Sequence, residues 1–281
     1  MIIDCHCHIF PPDICNRRTA FMDDEPAFRL LYENPNSRLI GASRLIEAMD
    51  RQAVDRAVVF GFPWRSLESA RLNNDYVMEA VARYSPRLIG MACVDAAVEG
   101  AAAEIRRCLE QGMKGAGELA FYKSGIDRRG LDALEPVMEL CAQYKVPVMI
   151  HTNEPVGHQY PGKTPNTLVQ IYNMAKRFAA NRIILAHWGG GIFFYTMLKK
   201  EVLQVLENVY FDTAASPFLY RPEIYRMAID LAGPEKILFG SDHPLLPASR
   251  YFDEMDKAGL SEEEKAAVCG LNAARLFGLD P

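Results

Sequence analysis

The sequence predicts one (β/α)8 barrel, or TIM barrel, that spans residues 1–281. Three observations predict this fold. Short apolar runs alternate with amphipathic stretches of helix length, which is typical of βα units that build a parallel sheet. Eight such runs occur, the number that a closed barrel needs. No segment rich in Pro, Gly and Ser divides the chain, and a single barrel can reach this length. A doubly wound open sheet is the alternative, although it would normally use fewer strands.

The predicted elements follow one another in regular order. Strands are expected at residues 2–8, 56–61, 88–94, 115–121, 146–151, 182–187, 209–213 and 236–241. Helices are expected at residues 42–52, 74–84, 101–111, 131–144, 167–178, 193–205 and 222–232. Ser261 and Glu264 then form a capping-box pattern that opens a further helix, and residues 272–277 are expected to form the last one.

A long irregular segment, residues 10–40, follows the first strand. Loops of this length in compact domains are commonly functional or disordered. Two interpretations are open: a partial lid over the mouth of the barrel, or a variable insertion at the surface.

The composition excludes several classes of function. The chain has 31 basic and 36 acidic residues and a net charge of −5, so it lacks the basic surplus that binding to nucleic acid needs. No apolar run reaches about 18 residues, so we expect no membrane-spanning helix. The seven cysteines lack CxxC spacing, and the polar start of the chain does not fit a signal peptide. We therefore expect a cytoplasmic protein that acts on a small molecule.

The first strand carries the polar pattern Asp4-x-His6-x-His8. Residues two apart in a strand share a face, so these three side chains are expected to project together, with Cys5 and Cys7 on the other side. Polar side chains in a barrel interior are costly without a partner, and a metal ion would be that partner. Two core histidines bonded to backbone carbonyls are the alternative.

Further candidate ligands stand at the ends of four other predicted strands. These residues are Glu118, His151, His187 and Asp242. Catalytic residues of such barrels lie at the carboxyl ends of strands, and four of the six histidines of the chain are found there. His and carboxylate ligands suit zinc, and they also accept manganese, iron or nickel. We therefore expect one or two divalent ions, with zinc first and manganese as an alternative.

Several of these residues also have a simpler interpretation. Glu118 can be a surface turn residue, His187 can orient the loop that follows it, and Asp242 can cap the next helix. His158 lies off any strand, in the loop after strand five, and either lines the substrate pocket or does not take part in it.

Five segments spread over the whole chain carry a family resemblance. They are Asp4-x-His6-x-His8, His151, Ala186-His187-x-Gly189-Gly190, Phe239-Gly240-Ser241-Asp242-His243-Pro244 and Asn272-Ala273-Ala274-Arg275-Leu276-Phe277. The sequence thereby resembles the amidohydrolase superfamily, in particular the amidohydrolase-related branch that contains aminocarboxymuconate-semialdehyde decarboxylase. The resemblance implies a distorted barrel in which His6 and His8 bind a divalent metal, with His151 and Asp242 completing the site. It implies that His187 is a second-site ligand or a catalytic residue, and it is compatible with a homodimer.

The strand-four segment has a resemblance of its own. Gly117-Glu118-Leu119, followed by Phe121-Tyr122, is similar to the corresponding segment of TatD-type metal-dependent DNases, in which the glutamate is a metal ligand. This resemblance implies a ligand role for Glu118 but no DNase activity. In that role Glu118 would bridge two metals, in place of the carboxylated lysine of other binuclear members.

The first function that we predict is metal-dependent hydrolysis of a small ester, lactone or amide. A metal ion lowers the pKa of its bound water and polarises the substrate oxygen. Asp242 would be the general base, and His187, if it is not a ligand, would donate a hydrogen bond to the developing oxyanion.

The alternative reaction is non-oxidative decarboxylation of a small aromatic or unsaturated carboxylic acid. Its carboxylate needs cationic partners, for which Arg65, Lys163 and Arg17 or Arg18 are candidates. Trp64 and Trp188 are candidates for a flat apolar wall against a ring. A third alternative is a catalytically silent metal-binding barrel. Against it stands the presence of both candidate proton-transfer groups, the Asp and His named above.

Overall fold

Eight parallel strands form in the computed structural model, which describes residues 1–198 and 200–280. Their bounds are β1 Ile3–His8, β2 Arg56–Phe60, β3 Leu88–Gly90, β4 Ala116–Leu119, β5 Val148–Ile150, β6 Ile183–Leu185, β7 Val209–Asp212 and β8 Ile237–Leu238. Each lies inside a predicted strand. The strands pair in chain order, β1 to β3 in one sheet and β4 to β8 in the other.

Backbone contacts join the two sheets at both edges. Cys7 forms a parallel bridge with His243 beyond the end of β8, and the amide of Cys5 donates to the carbonyl of Phe239 at 2.8 Å. On the other side Ala92 forms a parallel bridge with Ala116. The ring of eight strands is therefore complete, and the predicted (β/α)8 barrel is confirmed.

Helices follow the strands on the outside. The α-helices are α1 Pro12–Asn16, α2 Pro26–Tyr32, α3 Ala42–Gln52, α4 Leu67–Arg83, α5 Ala101–Glu110, α6 Arg128–Tyr144, α7 Leu168–Arg177, α8 Lys200–Val205, α9 Ser216–Leu219, α10 Glu223–Ala232, α11 Ser249–Lys257, α12 Glu262–Ala266 and α13 Asn272–Phe277. Shorter 3-10 segments are Arg18–Phe21, His187–Met197 and Pro234–Lys236, and Ala267–Leu271 is a π-helical turn. No helix in the described ranges is long and apolar enough to cross a membrane.

Two predicted helices differ from the observed ones. The helix predicted at 74–84 begins at Leu67, because the Ser66 side chain caps it by accepting from the amide of Ser69 at 3.2 Å. The helix predicted at 193–205 was wrong in its first half. Trp188 and the three glycines after it have φ between 61° and 82°, which cannot continue a right-handed α-helix, so a 3-10 segment extends to Met197. Residue 199, inside this prediction, lies outside the described residues.

Two apolar layers stabilise the barrel. The interior holds side chains from most strands, such as Ile3, Val58, Met149 and Leu238, and residues of α13 pack into the same cluster. A second layer lies between the strands and the surrounding helices. The interior below the site is therefore a packed core.

The pairing of β1 corrects one prediction about its faces. The register between β1 and β2 shifts between Asp4 and Cys7. Cys5 consequently packs in the barrel interior with Val58, and Asp4 bonds instead to the amide of Ser241 at 2.9 Å. A shift by one residue exchanges the two faces of a strand, so Asp4 does not project with the histidines as strict alternation predicts.

The irregular segment 10–40 is ordered by its own helices and aromatic residues. Phe28 on α2 packs against Phe62 at 5.4 Å and Trp64 at 4.5 Å between ring centroids. The end of this segment, from Leu31 to Arg38, lies along the mouth of the barrel. This placement fits the lid interpretation, and closure over a ligand stays a prediction.

Candidate metal centre

Six side chains converge at the carboxyl ends of the strands. They are His6 and His8 of β1, Glu118 of β4, His151 directly after β5, His187 shortly after β6, and Asp242 shortly after β8. All six were predicted from the sequence to bind metal. The fold brings them together because parallel strands of a barrel end at the same rim.

Glu118 lies between two groups of histidines. One carboxylate oxygen, Oε2, is 3.7 Å from Nε2 of His6 and 3.8 Å from Nε2 of His8. The other, Oε1, is 2.9 Å from Nδ1 of His151 and 3.5 Å from Nε2 of His187. Each set offers three ligand atoms close enough to surround one ion. A buried glutamate in this position is no surface turn residue.

Asp242 faces the first of these groups. Its Oδ1 lies 3.7 Å from Nε2 of both His6 and His8. The residue has a φ of 58°, in the left-handed region that Asp adopts more readily than most residues other than Gly. Its side chain is 19% exposed, so it is accessible from the cavity above.

Backbone and carboxylate acceptors fix the outer nitrogens of three histidines. Nδ1 of His6 contacts Asp212 at 2.9 Å, Nδ1 of His8 contacts the carbonyl of Gly61 at 2.9 Å, and Nδ1 of His187 contacts that of Ala214 at 3.0 Å. If each Nδ1 donates a proton, each Nε2 carries a lone pair directed to the centre. Metal-binding histidines are typically held in this way.

The donor atoms fit a divalent cation. Nε2 of His6 is buried and has no hydrogen-bond partner among the described residues, and an unpaired buried polar atom needs explanation. Two carboxylate oxygens face it at 3.7 Å. A cation in the space between them would satisfy all three atoms, and imidazole with carboxylate suits zinc or manganese.

The charges around His6 also favour a cation. Burial lowers the pKa of His6, but Glu118, Asp212 and Asp242 outweigh burial and raise it to about 10. Burial raises the pKa of Glu118, but the neighbouring His151 and His6 bring it well below its usual range. The centre therefore holds the buried carboxylate of Glu118 in its ionised form, where it attracts either a proton or a metal ion.

His151 differs from the other three histidines in its contacts. Its Nδ1 is 2.9 Å from Glu118, and its Nε2 is 2.9 Å from the carbonyl of Gly162. Both ring nitrogens are thus engaged with protein groups in this arrangement. Gly162 belongs to the loop after β5, so this loop contacts the centre directly.

A cavity of about 960 Å³ opens above the centre. Its wall includes the apolar and aromatic side chains Leu31, Tyr32, Phe62, Tyr122, Phe218 and Leu245. His158 also lines it, in agreement with one of its two predicted placements. The cavity is large enough for a small aromatic molecule and has metal-ligand side chains at its floor.

Four residues predicted to contact the substrate do not line the cavity. Trp64 and Trp188 are fully buried, where their indole N–H groups bond to Asn73 at 3.1 Å and Ser216 at 2.9 Å. Neither lines the cavity, because both side chains are used in packing.

The two predicted cations also lie elsewhere. Arg65 is exposed outside the cavity, where its backbone amide donates to Glu25. Lys163 does not line the cavity either, because its ammonium is paired with Glu154 at 2.7 Å. Arg18, a further candidate, donates to three backbone carbonyls of the segment 32–37 and thus holds this segment.

Two residues of the site were missed by the sequence interpretation. Arg38, at the end of the irregular segment, places an exposed guanidinium at the cavity wall. No periodic pattern marks that segment, so the sequence offered no signal. Asp212 ends β7 and contacts His6, and here the same strand-end rule that selected Glu118 would have found it.

The fold and the centre define a class of protein: a (β/α)8 barrel with a histidine and carboxylate cluster for divalent metal at the carboxyl ends of its strands. The family model described as amidohydrolase matches residues 3–279. The chain therefore belongs to the amidohydrolase family, as the sequence motifs predicted.

The chain is similar to several decarboxylases, in sequence and in structure. Gamma-resorcylate decarboxylase of Polaromonas sp. (strain JS666 / ATCC BAA-500) is 25% identical, over 95% of this chain and 88% of that protein. The solved structure of 5-carboxyvanillate decarboxylase from Sphingomonas paucimobilis matches with a TM-score of 0.76, 20% identity and 99% of each chain covered.

A second solved 5-carboxyvanillate decarboxylase, from Novosphingobium aromaticivorans, matches with a TM-score of 0.77 and 16% identity, over 99% of this chain and 96% of that chain. It was crystallised with manganese and 4-hydroxy-3-methoxy-5-nitrobenzoic acid. These relatives support an enzyme, and they give no support to the predicted hydrolysis. The predicted homodimer, cytoplasmic location and lack of a nucleic-acid partner stay predictions.

Proposed function

We propose that this protein is a metal-dependent decarboxylase that releases carbon dioxide from a small aromatic carboxylic acid. The observation that carries the proposal is the cavity, in which Asp242 and the histidines form the floor and aromatic side chains form the wall. The decarboxylase relatives, which align over most of the chain, support the same reaction. The proposed substrate class is therefore aromatic carboxylic acids, and hydroxybenzoic acids are the first candidates within it.

The metal would be held by two sets of ligands that share Glu118. His6, His8 and Asp242 belong to the first set, and His151 and His187 belong to the second. When bound, a divalent ion would anchor the oxygen atoms of the substrate and polarise them. Manganese is supported by the Novosphingobium relative, and zinc suits the same ligand atoms.

Asp242 is the residue that we assign to proton transfer. Decarboxylation of an aromatic acid needs a proton on the ring carbon that bears the carboxylate. Asp242, in its protonated form, would donate that proton. The carbon–carbon bond then breaks, its electron pair returns to the ring, carbon dioxide leaves, and Asp242 regains a proton from water. Asp242 is accessible from the cavity floor, which places its carboxyl group where a bound ring would lie.

Arg38 and the aromatic wall would bind and orient the substrate. The guanidinium of Arg38 at the wall can form charge-assisted hydrogen bonds with a carboxylate or phenolate. Tyr32, Phe62 and Tyr122 would pack against the ring and exclude water from it. These contacts would favour flat anionic substrates over aliphatic esters.

The test is an assay of the purified, manganese-loaded protein against a panel of hydroxybenzoic acids, with carbon dioxide release as the measurement. A second readout uses the product phenols in D2O, where ring protonation exchanges the hydrogen at the reacting carbon for deuterium, as seen by NMR. Asp242→Asn should slow both reactions by at least about 100-fold. The matched control is Asp253→Asn, an exposed aspartate on α11, and metal content is measured for every variant. Carbon dioxide release from none of the acids would contradict the proposal.

Hydrolysis is the second candidate, and one observation favours it. The two carboxylate oxygens of Glu118 face different groups of histidines, which is an arrangement suited to two ions. Two-ion centres are common in hydrolases. Two metal ions per chain together with turnover of esters or lactones, and no carbon dioxide release, would support this candidate. Bound metal without either reaction would favour the silent barrel.

A further inference from the structure

A buried carboxylate on β7 connects two histidines of the centre. Asp212 is fully buried, and its Oδ2 lies 2.9 Å from Nδ1 of His6 on β1. Its Oδ1 accepts from the backbone amides of His187 at 2.8 Å and Ala214 at 3.0 Å. The carbonyl of Ala214 in turn contacts Nδ1 of the His187 ring at 3.0 Å. One side chain thus holds groups from strands that lie apart in the barrel.

These contacts affect the two histidines in different ways. At His6, the carboxylate oxygen 2.9 Å from Nδ1 is placed to accept a hydrogen bond from it, and Nε2 is then left with its lone pair directed to the centre. At His187 the contact is with the backbone, which has a φ of 54°, uncommon for a residue other than Gly. The hydrogen bond that the backbone amide of His187 donates to Asp212 helps to hold this turn, and the turn places the ring.

We infer that Asp212 is a positioning residue that fixes the ring orientation and tautomer of His6 and the backbone of His187 for binding of a divalent metal. The inference rests on the metal centre proposed above, but not on which reaction the centre performs. It also explains why a carboxylate is buried beside the centre without lining the cavity above it. A carboxylate accepts at both oxygens, whereas an amide accepts at only one.

This difference allows the two contacts to be separated by one substitution. In Asp212→Asn the amide oxygen can still accept from the backbone of His187 and Ala214. The amide NH2 would then face Nδ1 of His6 and could no longer accept its proton. The imidazole of His6 would be driven to carry its proton on Nε2, the nitrogen that faces Glu118. The hydrogen bonds from the backbone amides of His187 and Ala214 are kept, and only the lone pair on Nε2 of His6 is lost.

The experiment measures zinc affinity of the full-length protein by competition with a chromogenic chelator, and the visible spectrum of the cobalt-loaded protein. Asp212→Asn should bind zinc about 10 to 100 times more weakly than the wild type and change the cobalt spectrum. The melting temperature of its metal-free form should stay near that of the wild type. Glu104→Gln is the matched control, because Glu104 is an equally buried carboxylate on α5 whose side-chain hydrogen-bond partners are Asn74, Arg107 and Cys108, none of them a candidate metal ligand. It should lower the melting temperature and leave zinc affinity unchanged.

The outcomes distinguish a failure of the proposed metal centre from a failure of the role assigned to Asp212. A wild type that binds no zinc or manganese would contradict the proposed metal centre itself. A wild type that binds zinc, with Asp212→Asn equal to it in affinity and spectrum, would overturn the role of Asp212 alone. If the variant does not fold, ¹⁵N NMR of histidines in the zinc-loaded wild type replaces it. A proton on Nδ1 of His6 that exchanges slowly with water would support the inference, and an unprotonated Nδ1 would overturn it.

Discussion

Replacing Gly240 with alanine is expected to displace His6 and weaken metal binding. Gly240 lies just after β8, and a Cβ atom added there would be 2.9 Å from the Cβ of His6 and 3.5 Å from that of Asp212. Non-bonded carbon atoms are comfortable at about 3.5–4.0 Å, so His6 would have to retreat by roughly 0.6 Å or more. The Cβ of His6 is attached to the backbone of β1, so His6 has little freedom to move away.

The size of the effect follows from that displacement. A misplacement of about 1 Å at a reacting group can cost about 100-fold in rate, so roughly 10-fold or more is expected in metal affinity and turnover. Overpacking of a buried site costs about 1–3 kcal/mol, which corresponds to a fall in Tm of about 2–12 °C for a domain of this size class. Zinc affinity by chelator competition and thermal unfolding of the metal-free form measure the two effects separately.

A glycine outside the centre supplies the control. In Gly90→Ala the new Cβ would lie 3.2 Å from Cγ2 of Val81 and 3.3 Å from Cγ1 of Val77, both of which end rotatable side chains. This variant should lose some stability and keep its zinc affinity. If Gly240→Ala binds zinc as tightly as the wild type, the steric argument for His6 is refuted.

Three further predictions address substrate binding, the metal and the helix layer. Arg38→Ala should raise KM for aromatic acids about 10 to 100-fold with a smaller change in kcat, because a hydrogen bond to a charged group contributes about 1.5–3 kcal/mol. Steady-state kinetics measure both constants, and Arg38→Lys should restore part of the loss. An unchanged KM would contradict this role of Arg38. Treatment with EDTA should abolish turnover, and manganese or zinc should restore it; full activity in protein shown to be metal-free would refute the centre. Glu104→Gln should destabilise the protein by about 1–3 kcal/mol at neutral pH in urea unfolding, because it breaks buried bonds to Arg107 and Asn74. Burial raises the pKa of Glu104, but Arg107 and Asn74 lower it overall, so its stabilising effect exists above its ordinary pKa of 4.5 and disappears as the pH falls further. The variant should therefore lose less stability than the wild type on acidification, and an equal loss would contradict the assignment.

Local patterns in the sequence were enough to locate the strands and most of the centre. The carboxyl ends of parallel strands in a barrel meet at one rim, so a polar residue at the end of an apolar run is a strong signal. His6, His8, Glu118 and His151 were found by this rule and do come together. Asp212, at the end of β7, obeys the same rule and lies beside the predicted ligands.

The sequence by itself determined the fold class and the set of metal-ligand side chains, since both depend on periodicity and on position along strands. Only the tertiary structure decided the register shift in β1, which moved Asp4 away from the histidines and Cys5 into the interior. It also decided that Trp188 is buried and that Arg38 lines the cavity. These outcomes depend on how loops and neighbouring strands pack against each other. Such contacts join residues far apart in the chain, and no local pattern records them.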